Sequence, residues 1–291
     1  MLRSMYSGIS GLRNFQTKLD VIGNNIANVN TYGFKKGRTV FKDLISQTVA
    51  GASGPGDTRG GVNPKQVGLG SQIATIDTLH TPGSTQFTGN TLDLAMSGDG
   101  FFQVGQKNAS NGIDNIQYTR AGNFYMDEVG ALVNSDGQYV VGIPAVNGQD
   151  PVISTTGTPP SVAEATLGTI TIPTTAKSMS VGQDGKVSYV DDTGALKYAG
   201  TLILAKFPNP GGLDKNGGNN FNNSPNSGTA ILNTASSSGI GTINSGFLEM
   251  SNVDLAEEFT EMIVAQRGFQ ANTRIITTSD EILQELVNLK R

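Results

Sequence analysis

"DLAEEFTEMIVAQRGFQANTRIITTSDEILQELVNLK", residues 254–290, decides how this chain is read. Leu255, Met262, Phe269, Ile276 and Leu283 recur every seven residues without a break, and Ile275, Ile282 and Leu289 form a neighbouring row. An apolar seam with that period belongs to a helix that shares its stripe with another helix. Asp254 with Glu257 three residues on forms a capping-box arrangement, with Ser251 as an alternative cap. Asp254, Glu257, Glu258 and Glu261 crowd the first turns, and Lys290 and Arg291 close the chain, both in keeping with the helix dipole. Gly268 is the one weak position. The spacing predicts a helix over about 252–289, roughly 55 Å long.

The N-terminus offers a partner. From residue 4 to about 30, Met5, Leu12, Leu19 and Ile26 repeat every seven residues; Leu2 and Ile9, then Phe15, Ile22 and Val29, flank them. Gly33 predicts the stop. The far end, "GNNIANVNTYGFKK" (23–36), is loaded with Asn24, Asn25, Asn28 and Asn30, although asparagine is a mediocre helix former. The first 42 residues hold seven Lys or Arg against Asp20 alone, a balance of +6, whereas residues 249–291 hold eight acids against four bases. Oppositely charged helices with matching seams are natural partners, within one chain or between chains. Two plainer readings compete. A basic amphipathic N-terminus also suits a transit peptide or a membrane-surface helix, and a helix pair can simply cap a β domain. The helix lengths, about 40 and 55 Å, argue against a mere cap. Projecting apolar stripes are a liability in a monomer and an interface in a polymer.

Between the helices the pattern changes. "LDLAMSGDGFFQVG" (92–105), "IQYTRAGNFYMDEVGALVNSDGQYVVGI" (116–143), "TITIPTTAKSMSVGQDGKVSYVDDTGALKY" (169–198) and "GTLILAKF" (200–207) alternate short β-prone runs with turns. Asp136-Gly137 and Asp184-Gly185 are hairpin signals. Residues 51–70 and 208–246, rich in Gly, Asn, Ser and Pro, read as long extended loops that order against a neighbour. The expected fold class is α+β, mainly β. Discontinuous terminal helices (1–32 with 251–291) pair as a coiled-coil-like domain; an extended linking segment (33–70) leads to a central β-rich domain (71–250), with 144–168 as a surface insertion.

Composition narrows the function. The 291 residues include 38 Gly, no Cys and no Trp. Without Cys there is no disulfide, thiol nucleophile or thiolate metal site. A net charge of −4 argues against nucleic acid as the main partner. No apolar run reaches membrane-spanning length, and the N-terminus lacks the h-region of a cleaved signal peptide. His80, the sole histidine, reads as structural, so zinc and copper sites are not expected. Asp99, Asp127, Asp136, Asp184, Asp191 and Asp192 sit beside glycines or other turn residues and read as turn formers rather than acid–base pairs. "GLGSQ" and "GDG" lack the setting of a phosphate loop, and no nucleophile elbow is present. Asn108-Ala109-Ser110 matches a glycosylation sequon that chance readily supplies. The expectation is a protein with no cofactor, no metal and no catalytic activity; a β-domain adhesin or carbohydrate binder is the competing class, and it lacks an obvious aromatic binding cluster.

Three long segments carry a resemblance. "SGISGLRNFQTKLDVIGNNIANVNTYGFKKGR" (7–38), "QVGLGSQI" (66–73) with "TQFTGNTLDLAMSGDGFFQV" (85–104), and "GFLEMSNVDLAEEFTEMIVAQRGFQANTRIITTSDEILQELV" (246–287) occur in the order found in the rod and hook proteins of the bacterial flagellum. The chain resembles that family over nearly its whole length. The resemblance implies an axial structural subunit that is exported unfolded through the flagellar type III apparatus without a cleaved signal peptide. It then polymerises into a helical tube, with paired terminal helices inside and the β domain outside. The implied partners are copies of itself and the distal rod, hook cap and hook–filament junction proteins, with no nucleic acid and no membrane insertion. Within the family the chain looks closest to a hook protein of Gram-positive type, a flexible joint, because "ISQTVAGASGPGD" (45–57) stands where a distal rod protein would usually carry a Gln-Pro-Gly stretch. The distal rod, a rigid drive shaft, is the alternative. The expected assembly interface comprises Met5, Ile9, Leu12, Leu19, Ile22, Ile26 and Val29 with Leu255, Met262, Phe269, Ile276 and Leu283. Asn24, Asn25 and Asn28 are expected to make polar contacts between subunits or to line a wet channel, where amides accumulate no like charge.

Overall fold

The computed structural model describes residues 2–56, 58–108, 112–146, 148–151, 155–156, 161–162 and 167–289. The chain divides into two compact units: 1–27, 37–79 and 253–291 form one, and 28–36 with 80–252 form the other.

The first unit is built on two helices, α1 (Leu2–Ala27) and α2 (Leu255–Asn288). Asp254 caps α2 as its sequence predicts, its Oδ1 accepting from the Ala256 and Glu257 backbone N–H groups at 2.8 and 3.4 Å. This satisfies donors that a helix start otherwise leaves open. α1 ends three residues before the expected boundary. A turn takes over at Asn28, whose carbonyl accepts from the Thr31 N–H at 3.1 Å and whose Oδ1 accepts from the Thr31 hydroxyl, also at 3.1 Å. Lys290 and Arg291 lie outside the described residues.

Beside the helices, Gly37–Asp43 pairs antiparallel with Ser71–Thr78. Between them Ser46–Ala50 pairs with Lys65–Gly68, and bridges at Ser53–Val62 and Gly56–Arg59 carry the ribbon on toward its tip. The segment read from sequence as an extended loop is therefore a long two-stranded ribbon. Its Gly-, Pro- and polar-rich sequence shows no period because neither face is buried: both strands are exposed throughout, so no alternation is imposed on them.

The second unit holds a large antiparallel sheet in the order Ser178–Val181, Lys186–Val190, Leu196–Lys206, Tyr139–Pro144, Phe101–Lys107, Ile113–Thr119, Asn220–Asn222, Asp214–Gly217. Leu196–Lys206 is the hub, and it also pairs with Ile231–Thr234. Successive side chains point to opposite faces. Phe102, Val104, Leu202 and Leu204 enter one core; Phe101, Ile203 and Ala205 enter the other. Burying each large apolar side chain contributes about 1.5–3 kcal/mol, so a strand buried on both faces anchors the unit. Both Asp-Gly hairpins form as expected, with Gly137 at φ +75° and Gly185 at φ +83°. The region 208–246 also carries strands, at Asp214–Gly217, Asn220–Asn222, Ile231–Thr234 and Thr242–Ser245. Much of 144–168 lies outside the described residues, as do Ala109 and Ser110 of the sequon.

Candidate assembly interface

The two helices run antiparallel. Gly8 lies against Ile276, Gly11 against Asn272, Phe15 against Gly268, Lys18 against Glu261 and Asn25 against Glu258. What brings them together is small side chains. A Cβ at Gly11 would sit 2.8 Å from Asn272 Oδ1, and one at Gly268 would sit 2.5 Å from the Phe15 ring. Gly268, a weak point by helix propensity, is the socket for that ring, so tertiary packing overrides its roughly 1 kcal/mol propensity cost.

The deepest row of α2 is not the apolar seam. Glu258, Ala265 and Ser279 are buried, with half-buried Asn272 completing the same seven-residue spacing. Two of them bond back to their own helix: Ser279 Oγ donates to the Ile275 carbonyl at 2.7 Å, and Asn272 Nδ2 to the Gly268 carbonyl at 3.0 Å. Such bonds back onto the helix leave close-packed small side chains with no open donor.

Of the residues expected at the interface, Met5, Leu12, Leu19, Ile26, Met262, Phe269, Ile276 and Leu283 are half-buried, Ile22 is buried, and Ile9 and Leu255 are exposed. Asn24 is exposed, and Asn28 and Val29, half-buried, fall in the β unit. Asn25 is 1% exposed and bonded within the chain: Nδ2 donates to the Gly37 carbonyl at 2.9 Å and to Glu258 Oε2 at 3.1 Å, while Oδ1 accepts from the Gly37 N–H at 3.0 Å. This amide locks the end of α1 to the start of the next strand and to α2. Lys18 Nζ and Glu261 Oε2, 2.6 Å apart, realise the expected charge pairing at one point. Being partly exposed, the pair is worth under about 1 kcal/mol.

The pairing leaves apolar surface uncovered. Phe259, Ile263, Val264, Ile275, Ile282 and Leu286 are all about half exposed, Val287 is 65% exposed and Leu289 is 82% exposed. If the Gly8–Ile276 register continues, α1 runs out near residue 282, and the last turns of α2 have no helix opposite them. Exposed apolar side chains in this number on one helix mark an interaction surface.

In the β unit a second polar assembly escaped sequence reading. Lys35, from "GFKK", is fully buried, and its Nζ reaches Glu249 Oε1 at 2.5 Å and the Thr81 carbonyl at 2.9 Å. Arg120 Nη1 approaches Glu249 Oε2 at 3.3 Å and Nη2 donates to the Gly98 carbonyl at 2.8 Å. The Gly83 N–H also donates to Glu249 Oε1, at 3.1 Å. Burial lowers the Lys35 pKa, with the Glu249 carboxylate opposing that shift. Gly33, in this unit at φ +70°, admits no Cβ, since one would lie 2.5 Å from the Ala121 nitrogen; that close approach seats "GFKK" among residues of the sheet. Sequence reading counted Lys35 only toward the basic balance of the first 42 residues, because only the tertiary fold brings residues 120 and 249 to it.

His80 packs edge-on against Phe101 and Phe221, with centroids 5.5 and 5.3 Å away. Burial, reinforced by Lys35, Arg120 and Lys215, pushes its pKa down to about 4. Among the described residues no group of three or more His, Asp or Glu is placed to hold a metal ion, and no helix is long and apolar enough to cross a membrane.

Three family descriptions match successive parts of the chain: the flagella basal body rod protein over 5–35, the D1 domain of the flagellar hook proteins FlgE/F/G over 95–189, and the C-terminal part of the flagellar basal body rod FlgEFG proteins over 244–289. The flagellar basal-body rod protein FlgG of Bacillus subtilis is 57% identical over 292 aligned positions that take in the whole of both chains. The flagellar hook protein FlgE of Borreliella burgdorferi is 34% identical, again with both chains fully covered, but over an alignment of 447 positions. The FlgG protein of Agrobacterium fabrum is 33% identical over 284 positions, covering 97% of each chain.

Proposed function

Starting from the premise that this chain belongs to the flagellar rod and hook protein family, we propose that it is a structural, non-catalytic subunit of the basal-body rod, polymerising into the tube that transmits torque. The observation that carries the reading is the apolar surface that the helix pair leaves uncovered, which includes Ile282, Leu286, Val287 and Leu289 at its end. Shielding that face is worth about 25 cal/mol per Å², and a helical array of identical chains does so with one repeated contact. In this reading the terminal segments form the inner, coiled-coil-like assembly domain. Seam residues from Met5 to Ile26 and from Leu255 to Leu283 complete their burial against sister subunits. Asn24 and Asn28 supply polar contacts, and the chain reaches its place unfolded, through the flagellar export channel.

The choice of rod over hook reverses the order suggested by the 45–57 stretch. The Bacillus subtilis rod protein aligns end to end with almost no change in length, whereas alignment with the Borreliella burgdorferi hook protein demands long unmatched segments. A hook subunit remains the second reading, favoured by the absence of a Gln-Pro-Gly stretch within 45–57. Electron microscopy of basal bodies from cells deleted for this gene separates the two. Truncated rods support the proposal; complete rods without hooks select the second reading; normal basal bodies and hooks sink both.

A further inference from the structure

The β unit holds a cavity of about 170 Å³ lined by His80, Asp99, Phe101, Arg120, Lys206 and Pro210, among others. Two of these side chains bring buried nitrogens that lack a partner. Arg120 is 3% exposed, and its Nε, unlike its two terminal nitrogens, has no hydrogen-bond acceptor. Both His80 ring nitrogens are buried and unpartnered; the Pro210 carbonyl lies near enough to favour a protonated imidazole but not in bonding geometry. A buried donor left open costs about 1–3 kcal/mol, and more when charged. The charges are also unbalanced: buried Lys35 and Arg120 share the single negative charge of Glu249. Uncompensated buried charge is costly enough that proteins pair it or bind a counterion.

We infer that this cavity binds a small anion, a carboxylate or a tetrahedral oxyanion, drawn to the Arg120 and His80 side chains that line it. The volume suits it: with about 30 Å³ per water in the liquid, the space of about 170 Å³ holds an acetate or sulfate. At the rim Lys206 Nζ donates to the Gly239 carbonyl at 2.9 Å and stands 3.6 Å from Asp99 Oδ2. Asp99 repels an anion and Lys206 attracts one, so the anion sits at the inner, Arg120 end. Binding favours the imidazolium, because it gains an acceptor of opposite charge; by linkage the anion binds more tightly near pH 5 than at pH 7. The site goes beyond the assembly role and holds whether the chain builds rod or hook.

His80 is the sole histidine, so its imidazole proton resonances report on the cavity without assignment. Dilute full-length protein in an anion-poor buffer is titrated with sodium acetate or sodium sulfate at pH 5 and pH 7 and constant ionic strength. The expected result is a saturable shift with a dissociation constant of about 1 mM or tighter at pH 5, weaker at pH 7, and a His80 pKa raised above its anion-free value. Asp99→Asn tightens binding about threefold and Lys206→Met weakens it about threefold, the effect of one partly exposed charge; both residues are at the rim and leave the fold intact. No saturable shift at pH 5, or identical titrations for wild type and both variants, overturns the inference. The source of the anion is read separately. Response to added salt in dilute protein identifies a free ion. A His80 shift that grows with protein concentration in anion-poor buffer and is reversed by sulfate identifies a carboxylate of a second copy.

Discussion

Glu249→Gln should be the most damaging single isosteric change in the β unit. It removes the one carboxylate facing Lys35 and Arg120, both buried, and weakens the acceptor for the Gly83 N–H. Breaking a buried pair by deleting one partner costs about 3–5 kcal/mol, because the other charge stays buried and uncompensated. In a unit of this size each kcal/mol moves the midpoint by about 2–4 °C, so the expected drop is about 6–20 °C. Lys35→Met is the informative contrast. It leaves Glu249 paired with Arg120 one to one and loses chiefly the bond to the Thr81 carbonyl, which keeps Asn252 Nδ2 as a donor at 3.3 Å; the cost is about 0.5–1.5 kcal/mol, offset in part by the apolar stem of methionine. The ordering, Glu249→Gln well below Lys35→Met, is the test. Six of the seven tyrosines lie in this unit and the chain has no Trp, so near-UV circular dichroism follows the unit's melting selectively. If Lys35→Met lowers the midpoint as much as Glu249→Gln does, the claim that two cations depend on one carboxylate is refuted.

Acidification should destabilise the β unit through His80. The unfolded chain takes up its proton near 6.5 and the folded chain only near 4, so the unfolded state binds more protons in between. The stability is fully present above about pH 6.5 and lost as pH falls toward 4, at most about 3 kcal/mol; urea titrations should show this slope flattened in His80→Phe. Gly268→Ala should weaken the helix pair by about 1–3 kcal/mol through collision with Phe15, although alanine favours an isolated helix by about 1 kcal/mol; a gain in α-helical stability by far-UV circular dichroism would contradict the packing. Ile282→Gln with Leu286→Gln should abolish polymerisation, followed by light scattering, while leaving the tyrosine melt unchanged; polymers at wild-type concentrations would remove the terminal face from the interface. Asn25→Ala should destabilise the helical unit by about 1–2 kcal/mol, since it removes the side-chain partner of the half-buried Gly37 N–H and carbonyl and one bond to Glu258; amide exchange at Gly37 reports it, and unchanged protection there would disprove the lock.

The chain's own pattern was enough to establish that two seamed helices of opposite charge flank a β region, that Asp254 starts the second helix, and that Asp136-Gly137 and Asp184-Gly185 turn hairpins. Those features are local: heptad spacing, a cap and a positive-φ glycine are each decided within a few residues. Three things needed the tertiary structure. Gly8, Gly11 and Gly268 became contact points, and Glu258, Ala265 and Ser279 the deepest row, only when the opposing helix was in place, because small residues carry no hydrophobic signal of their own. The segment 46–68 became a ribbon through backbone pairing that its exposed side chains do not encode. Lys35, Arg120 and Glu249, far apart along the chain, met only through folding, which placed one of the seven basic residues of the N-terminal stretch in a buried ion cluster. A charge can be buried only where the fold supplies its partner, and no stretch of sequence contains both.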